Sequence, residues 1–465
     1  MDDQKNLQSR RSFLRMGALG AGALLAGAAM PTLVGAAGKP VEASLTNRSA
    51  KPKASAKQRP WYDLGRLNDP VLDSQLLWYL SAVYQGTADI GECLDTASRV
   101  QPEDPWSWPR EWERTAERLR RSADDSLAGG HRLSAGQSYL RASTYYRAAL
   151  IHHPEPQDPG VVAMTRLAVS CFDRAIDLLA LPARAVRIPY EGTTLPGYFH
   201  RSPVADVRAP VLIVFEGRDA WPEETKYLAD AAMARGYHCL QFAGPGQGAA
   251  IRLQGLTFRP DWEKVVTPVV DFAISQPGVD ADRIALMGLS MGGALAPRAA
   301  AFEKRIKVLI ANPGVLSWAD SILGHFEDYP LLTNLVDTQP ALFDKVCWGF
   351  FDAASHLGDN LMGAATWWLK DSMWKHGVSS PSNLIRELRR YTNADVVDKI
   401  TCQVLIMDGA GEDFSAGQAM KLYDALACPK EYMLFTAEDT GLLHCQTGAM
   451  AVATQRMFDW LDDRL

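Results

Sequence analysis

From Ala185 onward, short β-branched runs alternate with helical stretches, and that rhythm excludes most architectures. Residues 211–215, 238–242, 284–287, 308–310, 404–407 and 432–435 each read as a strand. A run that is apolar throughout is buried on both faces, so helices must cover both sides of the sheet. The expected fold class is α/β, a mostly parallel doubly wound sheet. Between about 315 and 395 the strand rhythm stops, and the segment is rich in aromatic residues, Trp318, Trp348, Trp367, Trp368 and Trp374 among them. It reads as a helical lid inserted between two strands. An insertion there sits near the strand C-termini, where α/β sheets bind ligands, and Trp318 and Trp348 are its candidate pocket-lining residues.

Ahead of the alternating part the grammar is helical. Leu72, Leu76, Tyr79, Leu80 and Val83 recur at helical spacing, as do Trp112, Ala116 and Leu119, then Tyr139, Ala142, Tyr145, Tyr146 and Ala149. A further helix runs from about Gly160 and is closed by Pro182. The expected organisation is a helical domain over 61–182 and a catalytic domain over 183–465. Residues 1–37 read as a twin-arginine export signal, with Ser9-Arg10-Arg11-Ser12-Phe13-Leu14 preceding a glycine-rich apolar run and small residues at Val34-Gly35-Ala36-Ala37. Residues 38–60 are rich in Lys, Ala, Ser and Pro and read as a disordered linker. The expected location is periplasmic or secreted, with no stable membrane association once the signal is cleaved.

A net charge of −6 gives no footprint for nucleic acid. Seven scattered cysteines without a C-x-x-C pair suggest neither zinc nor redox chemistry, so neither metal nor organic cofactor is expected. The expected partner is a small-molecule substrate. A homodimer is compatible with the chain, whose oligomeric state the sequence does not set.

Gly288-Leu289-Ser290-Met291-Gly292 satisfies G-x-S-x-G between a strand and an Ala-rich helix. That context predicts a tight turn that projects Ser290 above the sheet as a nucleophile. A serine hydroxyl needs a general base and an orienting carboxylate, which this architecture supplies in the order Ser, acid, His. His444, after the last strand, is the one histidine of nine in the required position. The acid belongs on the loop after residues 404–407, where Asp408, Glu412 and Asp413 compete. Asp408 abuts the strand end and reads as structural; Asp413 is the expected acid. Of the two amides needed for an oxyanion hole, Met291 supplies one and Gly217 or Arg218 the other. Glu216, beside that loop, would oppose a developing negative charge unless it packs away, pairs with Arg218, or contacts substrate.

Together with Gly244-Pro245-Gly246-Gln247-Gly248, Pro260-Asp261-Trp262-Glu263, Pro297-Arg298-Ala299-Ala300 and His444-Cys445, these residues resemble one family. It comprises α/β-hydrolases with an N-terminal helical domain, typified by dihydroxypseudooxynicotine hydrolase and the fungal polyketide-shortening pigment hydrolases. The resemblance runs from about Trp61 to the end. It implies acyl transfer to water, at a carbon–carbon bond beside a ketone or at an ester. Ala243 departs from the Asp that relatives often carry before the Gly-Pro-Gly run, and Glu216 from the usual glycine-rich turn. The expected function is an exported serine hydrolase acting on a bulky or aromatic substrate through an acyl-enzyme. The alternatives are a carboxylesterase, a small-peptide hydrolase using Glu216 or Glu223 to bind an amine, or a non-catalytic binding protein for a hydrophobic ligand.

Replacing Arg10 and Arg11 together by lysine is expected to block export. Immunoblots of cell fractions should then show precursor in the cytoplasm and no mature protein outside it.

Overall fold

The computed structural model describes residues 60–323, 330–355 and 360–465. The expected export signal, and the expected linker up to residue 59, lie outside the described residues.

Five helices come first: α1 (Pro70–Ser81), α2 (Ile90–Ala97), α3 (Ser107–Ala128), α4 (Arg132–Ile151) and α5 (Pro159–Leu178). Aspartates start three of them. Asp69 accepts the amides of Val71 and Leu72, Asp89 those of Gly91 and Glu92, and Asp158 that of Gly160, satisfying donors that a helix start otherwise leaves free. Tyr79, Trp108, Trp112 and Tyr145 interlock in the centre of this helical core, with ring centroids 5.1–6.5 Å apart. The short α2 carries too few apolar positions to announce itself by periodicity.

The chain then builds β1 (Ala183–Tyr190), β2 (Thr193–His200), β3 (Ala209–Phe215), α6 (Lys226–Ala234), β4 (His238–Phe242), α7 (Gly248–Gln254), α8 (Glu263–Ile274), β5 (Val279–Leu289), α9 (Gly292–Phe302) and β6 (Val308–Asn312). Five helices occupy the expected insertion: α10 (Trp318–Leu323), α11 (Pro330–Thr338), α12 (Pro340–Ser355), α13 (Asn360–Lys375) and α14 (Pro381–Leu388). The chain closes with β7 (Gln403–Gly409), α15 (Gln418–Ala425), β8 (Lys430–Phe435) and α16 (Met450–Asp462).

The eight strands form one sheet in the order β1-β2-β4-β3-β5-β6-β7-β8. All pairs are parallel except β1 with β2 and β2 with β4. One apolar core, holding Trp262, Val266, Val270 and Leu295, covers one face of the sheet; another, holding Leu228, Met457 and Phe458, covers the other. The antiparallel β1–β2 hairpin is an addition to the sequence expectation. It escapes a search for apolar runs because β1 is an edge strand whose Arg184 and Arg187 face solvent while Val186, Ile188 and Tyr190 face inward.

Candidate active site

The site sits where β5 turns sharply into α9. Ser290, with φ of +56°, adopts a left-handed conformation that a side chain disfavours, and the surroundings hold it there. Its amide donates to the Asn312 carbonyl on β6 at 2.7 Å, and its carbonyl accepts the Gly293 amide at 2.8 Å. The turn is so tight that a Cβ on Gly288 would stand 2.1 Å from the Gly292 carbonyl oxygen, so only glycine fits.

His444 follows β8 in a short helical turn. Its Nε2 lies 2.9 Å from Ser290 Oγ. Its Nδ1 lies 2.7 Å from Glu412 Oε2. The carboxylate facing the imidazole is therefore that of Glu412, and the sequence expectation of Asp413 is corrected by one residue. The backbone explains the choice. The Ala410 amide donates to the Phe435 carbonyl and the Gly411 amide to the Leu442 carbonyl, both at 2.8 Å, lashing the loop after β7 to the segment that carries His444. Glu412 Oε1 then accepts the amides of Phe414 and Ser415 at 2.8 and 3.0 Å, leaving Oε2 for the histidine. Asp408, as expected, is structural: it accepts the Tyr432 hydroxyl at 2.6 Å and its neighbour's amide at 2.8 Å.

Burial opposes protonation of His444, but the neighbouring Cys445 and Glu412 groups outweigh it and hold the imidazole well above its ordinary range. For Glu412 burial pushes upward, and the His444 charge, its hydrogen bond and the two amides bring the carboxyl below its ordinary value. Asn312 ties Ser290 and His444 together. Its carbonyl accepts both the Ser290 amide and, at 3.4 Å, the Cys445 thiol, and its side-chain amide donates to Gln446 at 2.8 Å.

Met291 begins α9, and Gly217 packs directly against it: a Cβ on Gly217 would lie 2.6 Å from the Met291 nitrogen and 2.6 Å from Ser290 Cβ. Gly217 and Met291 thus meet beside Ser290, with the Arg218 amide one residue further along. The Arg218 side chain does not pair with Glu216. It is buried and reaches the lid, meeting Asp371 at 2.5 Å, Ser372 at 3.0 Å and the Trp368 carbonyl at 3.3 Å, and it also pairs with Asp219 at 2.7 Å. Lys375 completes this buried network, 2.8 Å from Asp219 and 3.0 Å from Asp371. Glu216 is buried, and its Oε1 has no hydrogen-bond partner among the described residues. Burial, with the nearby Glu224 and Glu223, pushes its carboxyl up to about 8 against a hydrogen bond from Thr225, so at neutral pH it is an uncharged acid. The conflict with an oxyanion is removed by protonation instead of an ion pair. Glu223 is also buried, under the Tyr198 hydroxyl at 3.1 Å, so neither acid forms the exposed amine site that a peptidase reading requires.

The expectations for the lid are revised too. Trp318 is a core residue, 5% exposed, and Trp348 packs half-buried against the same core. Trp367 and Trp368 instead flank the Arg218 guanidinium at 5.3 and 5.4 Å, and His152, just past the end of α4, lies tilted against Trp367 at 4.5 Å. Phe414, exposed at the site, lies 4.8 Å from the His444 ring. Its place beside the acid was the signal available in the sequence.

With this geometry in hand, comparison with known proteins is consistent. The profile of the Alpha/beta hydrolase family matches residues 195–446. A hydrolase named LUC6 from Fusarium sp is 34% identical over 82% of this chain and 93% of its own length. The 20-hydroxy-prefusarin hydrolase FUS2 of Gibberella moniliformis is 31% identical over 82% of this chain and 92% of its own. Among solved structures, 2,6-dihydroxy-pseudo-oxynicotine hydrolase superposes with a TM-score of 0.64 at 19% identity, covering 83% of this chain and 95% of that one, a likeness of fold. The chain belongs to the alpha/beta hydrolase family, and it is a hydrolase of that fold.

Two titrations follow. Glu412→Gln removes the negative charge facing the imidazolium, so the His444 pKa should fall, whereas Asp413→Asn should move it far less; histidine NMR resonances followed against pH check this. Because Glu216 must take up a proton on folding above its ordinary carboxyl range, wild-type stability should decline from about pH 4.5 to about pH 8 on its account. Glu216→Gln should therefore raise the melting temperature, by a margin that grows over that window and then levels off.

Proposed function

We propose that the chain is a serine hydrolase in which Ser290, His444 and Glu412 form a catalytic triad. The observation that carries this reading is the unbroken hydrogen-bond chain from Ser290 Oγ through the imidazole to the buried Glu412 carboxylate, at a strained turn. His444 takes the Ser290 proton as Oγ attacks a substrate carbonyl. The resulting oxyanion is met by the amides of Met291 and of Gly217 or Arg218. Collapse of the tetrahedral adduct breaks the bond to the leaving group, which receives the proton from His444: an alcohol departs from an ester, an enol or its ketone from a carbon–carbon bond beside a ketone. Water, deprotonated by His444, then releases the acid and restores Ser290. The requirement that the imidazole be neutral, set against its raised pKa, places the acid limb of the activity profile on the alkaline side of an ordinary histidine.

The substrate class we infer is a bulky or aromatic ketone or ester. Phe414, exposed against His444, offers a ring face to such a molecule, and the tryptophan-rich lid adjoins the oxyanion loop through Arg218. The names of the relatives, which include a hydrolase of 20-hydroxy-prefusarin, favour a polyketide-like compound. The twin-arginine segment supports a location outside the cytoplasm.

Purified mature protein assayed on an aryl ester and on an aromatic β-diketone tests the proposal. Ser290→Ala should abolish turnover of whichever is cleaved, and Glu412→Gln should lower kcat by about 10⁴-fold, as removal of the acid does in serine proteases. Activity that survives Ser290→Ala would sink the triad. Cleavage of the ester alone would assign an esterase, and Ser290-dependent cleavage of the diketone a carbon–carbon hydrolase.

A further inference from the structure

Gln247 lies in the loop between β4 and α7 and is fully buried. Its Oε1 accepts the Gly244 amide at 2.8 Å, which closes the loop on itself. Its Nε2 donates to the carbonyls of both Glu216 and Gly217, the latter at 3.0 Å. Those carbonyls belong to the peptides Glu216–Gly217 and Gly217–Arg218, whose N–H groups are the two amides offered above as oxyanion donors. In a planar trans peptide the C=O and N–H point in opposite directions. One side chain that holds both carbonyls therefore fixes the heading of both N–H groups, on the side of the loop away from itself.

The hold matters because this loop has no regular ladder at that point. β3 ends at Phe215, and its last pairings are Phe215 with Phe242 and Phe215 with Gly288. Beyond it, Gly217 is free of side-chain constraint, yet its Cα must rest against Ser290 and Met291. A glycine in an unpaired loop would otherwise sample many orientations, and an oxyanion donor contributes only if its heading is set before the reaction.

Resting on the serine-hydrolase reading, we propose that Gln247 is a positioning residue that aims the Gly217 and Arg218 amides at the oxyanion. It touches no reacting atom. The role predicts a particular kinetic signature: loss of stabilisation for the tetrahedral adduct with little change for ground-state substrate.

Gln247→Met keeps the length of the side chain and removes its amide, and Gln247→Glu keeps an acceptor for Gly244 while replacing the donor. Each is compared with wild type on 4-nitrophenyl acetate, for kcat and KM, and with an aryl trifluoromethyl ketone, whose adduct with serine bears an oxyanion. For Gln247→Met, kcat should fall by roughly 10- to 100-fold with KM near wild type, and the affinity for the trifluoromethyl ketone should weaken by the same factor. For Gln247→Glu, the ratio of its activity to wild type should rise as pH is lowered, because the protonated carboxyl regains a donor; the Met ratio should stay flat. The control is Gln85→Met, which removes a buried amide bonded to Glu224 and Tyr227 at 2.9 and 2.7 Å in the interface with the helical domain. If Gln247→Met does not fold, the pH ratio of Gln247→Glu decides. An unchanged kcat, a change confined to KM, or an equal loss in Gln85→Met at an equal melting shift overturns the assignment. Wild-type turnover that survives Ser290→Ala overturns the serine-hydrolase reading and this inference with it, whereas Ser290-dependent turnover that ignores Gln247 overturns this inference alone.

Discussion

The hydrogen bond from the Ser290 amide to the Asn312 carbonyl, 2.7 Å long, is the contact on which the site hangs. A non-glycine residue at a positive φ costs on the order of 1–3 kcal/mol, and the turn persists only because its neighbours leave it no alternative. β6 supplies that constraint through one residue. Asn312 fixes the Ser290 backbone, receives the Cys445 thiol and grips Gln446, so Ser290 and His444, 154 residues apart in sequence and joined by a hydrogen bond, share a single anchor. The distance between Ser290 and His444 is thereby set by main chain and amide geometry instead of by side-chain packing alone.

Much of this was legible beforehand. Buried parallel strands are apolar over most of their length, so β3 to β7 announced themselves, and the glycine spacing around Ser290 is dictated by a turn that admits no Cβ. The acid was missed by one residue for a physical reason. Strands and helices carry a period from which a facing can be read, whereas the direction of Glu412 depends on where the Ala410 and Gly411 amides find their acceptors, in Phe435 and Leu442. Sequence adjacency says nothing about those partners. The β1–β2 hairpin escaped for the opposite reason, since an edge strand alternates and hides its apolar content among arginines.

The buried charges follow the same division. Glu216 presented itself in sequence as an electrostatic obstacle to an oxyanion, but burial, with Glu223 and Glu224 nearby, pushes its carboxyl up to about 8, a result that depends chiefly on its depth. Arg218, its nearest cation in sequence, is committed elsewhere, to Asp219 beside it and to Asp371 across a separation of 153 residues. Long-range ion pairs of this kind leave no local pattern, and the aromatic content of the lid pointed to Trp318 when the rings that matter are Trp367 and Trp368, which cover the guanidinium.

That guanidinium is a strut between two parts that are usually discussed apart. The backbone of Arg218 belongs to the oxyanion loop, and its side chain is clamped to α13, a lid helix whose Lys375 in turn grips the Arg218 carbonyl at 2.9 Å. Separating them strands buried charges, at a cost on the order of 3–5 kcal/mol for each broken pair. A molecule that forces α13 outward must either bear that cost or carry the loop with it. The lid helix is thus geared to the loop that carries Gly217, and through it to Ser290 and Met291.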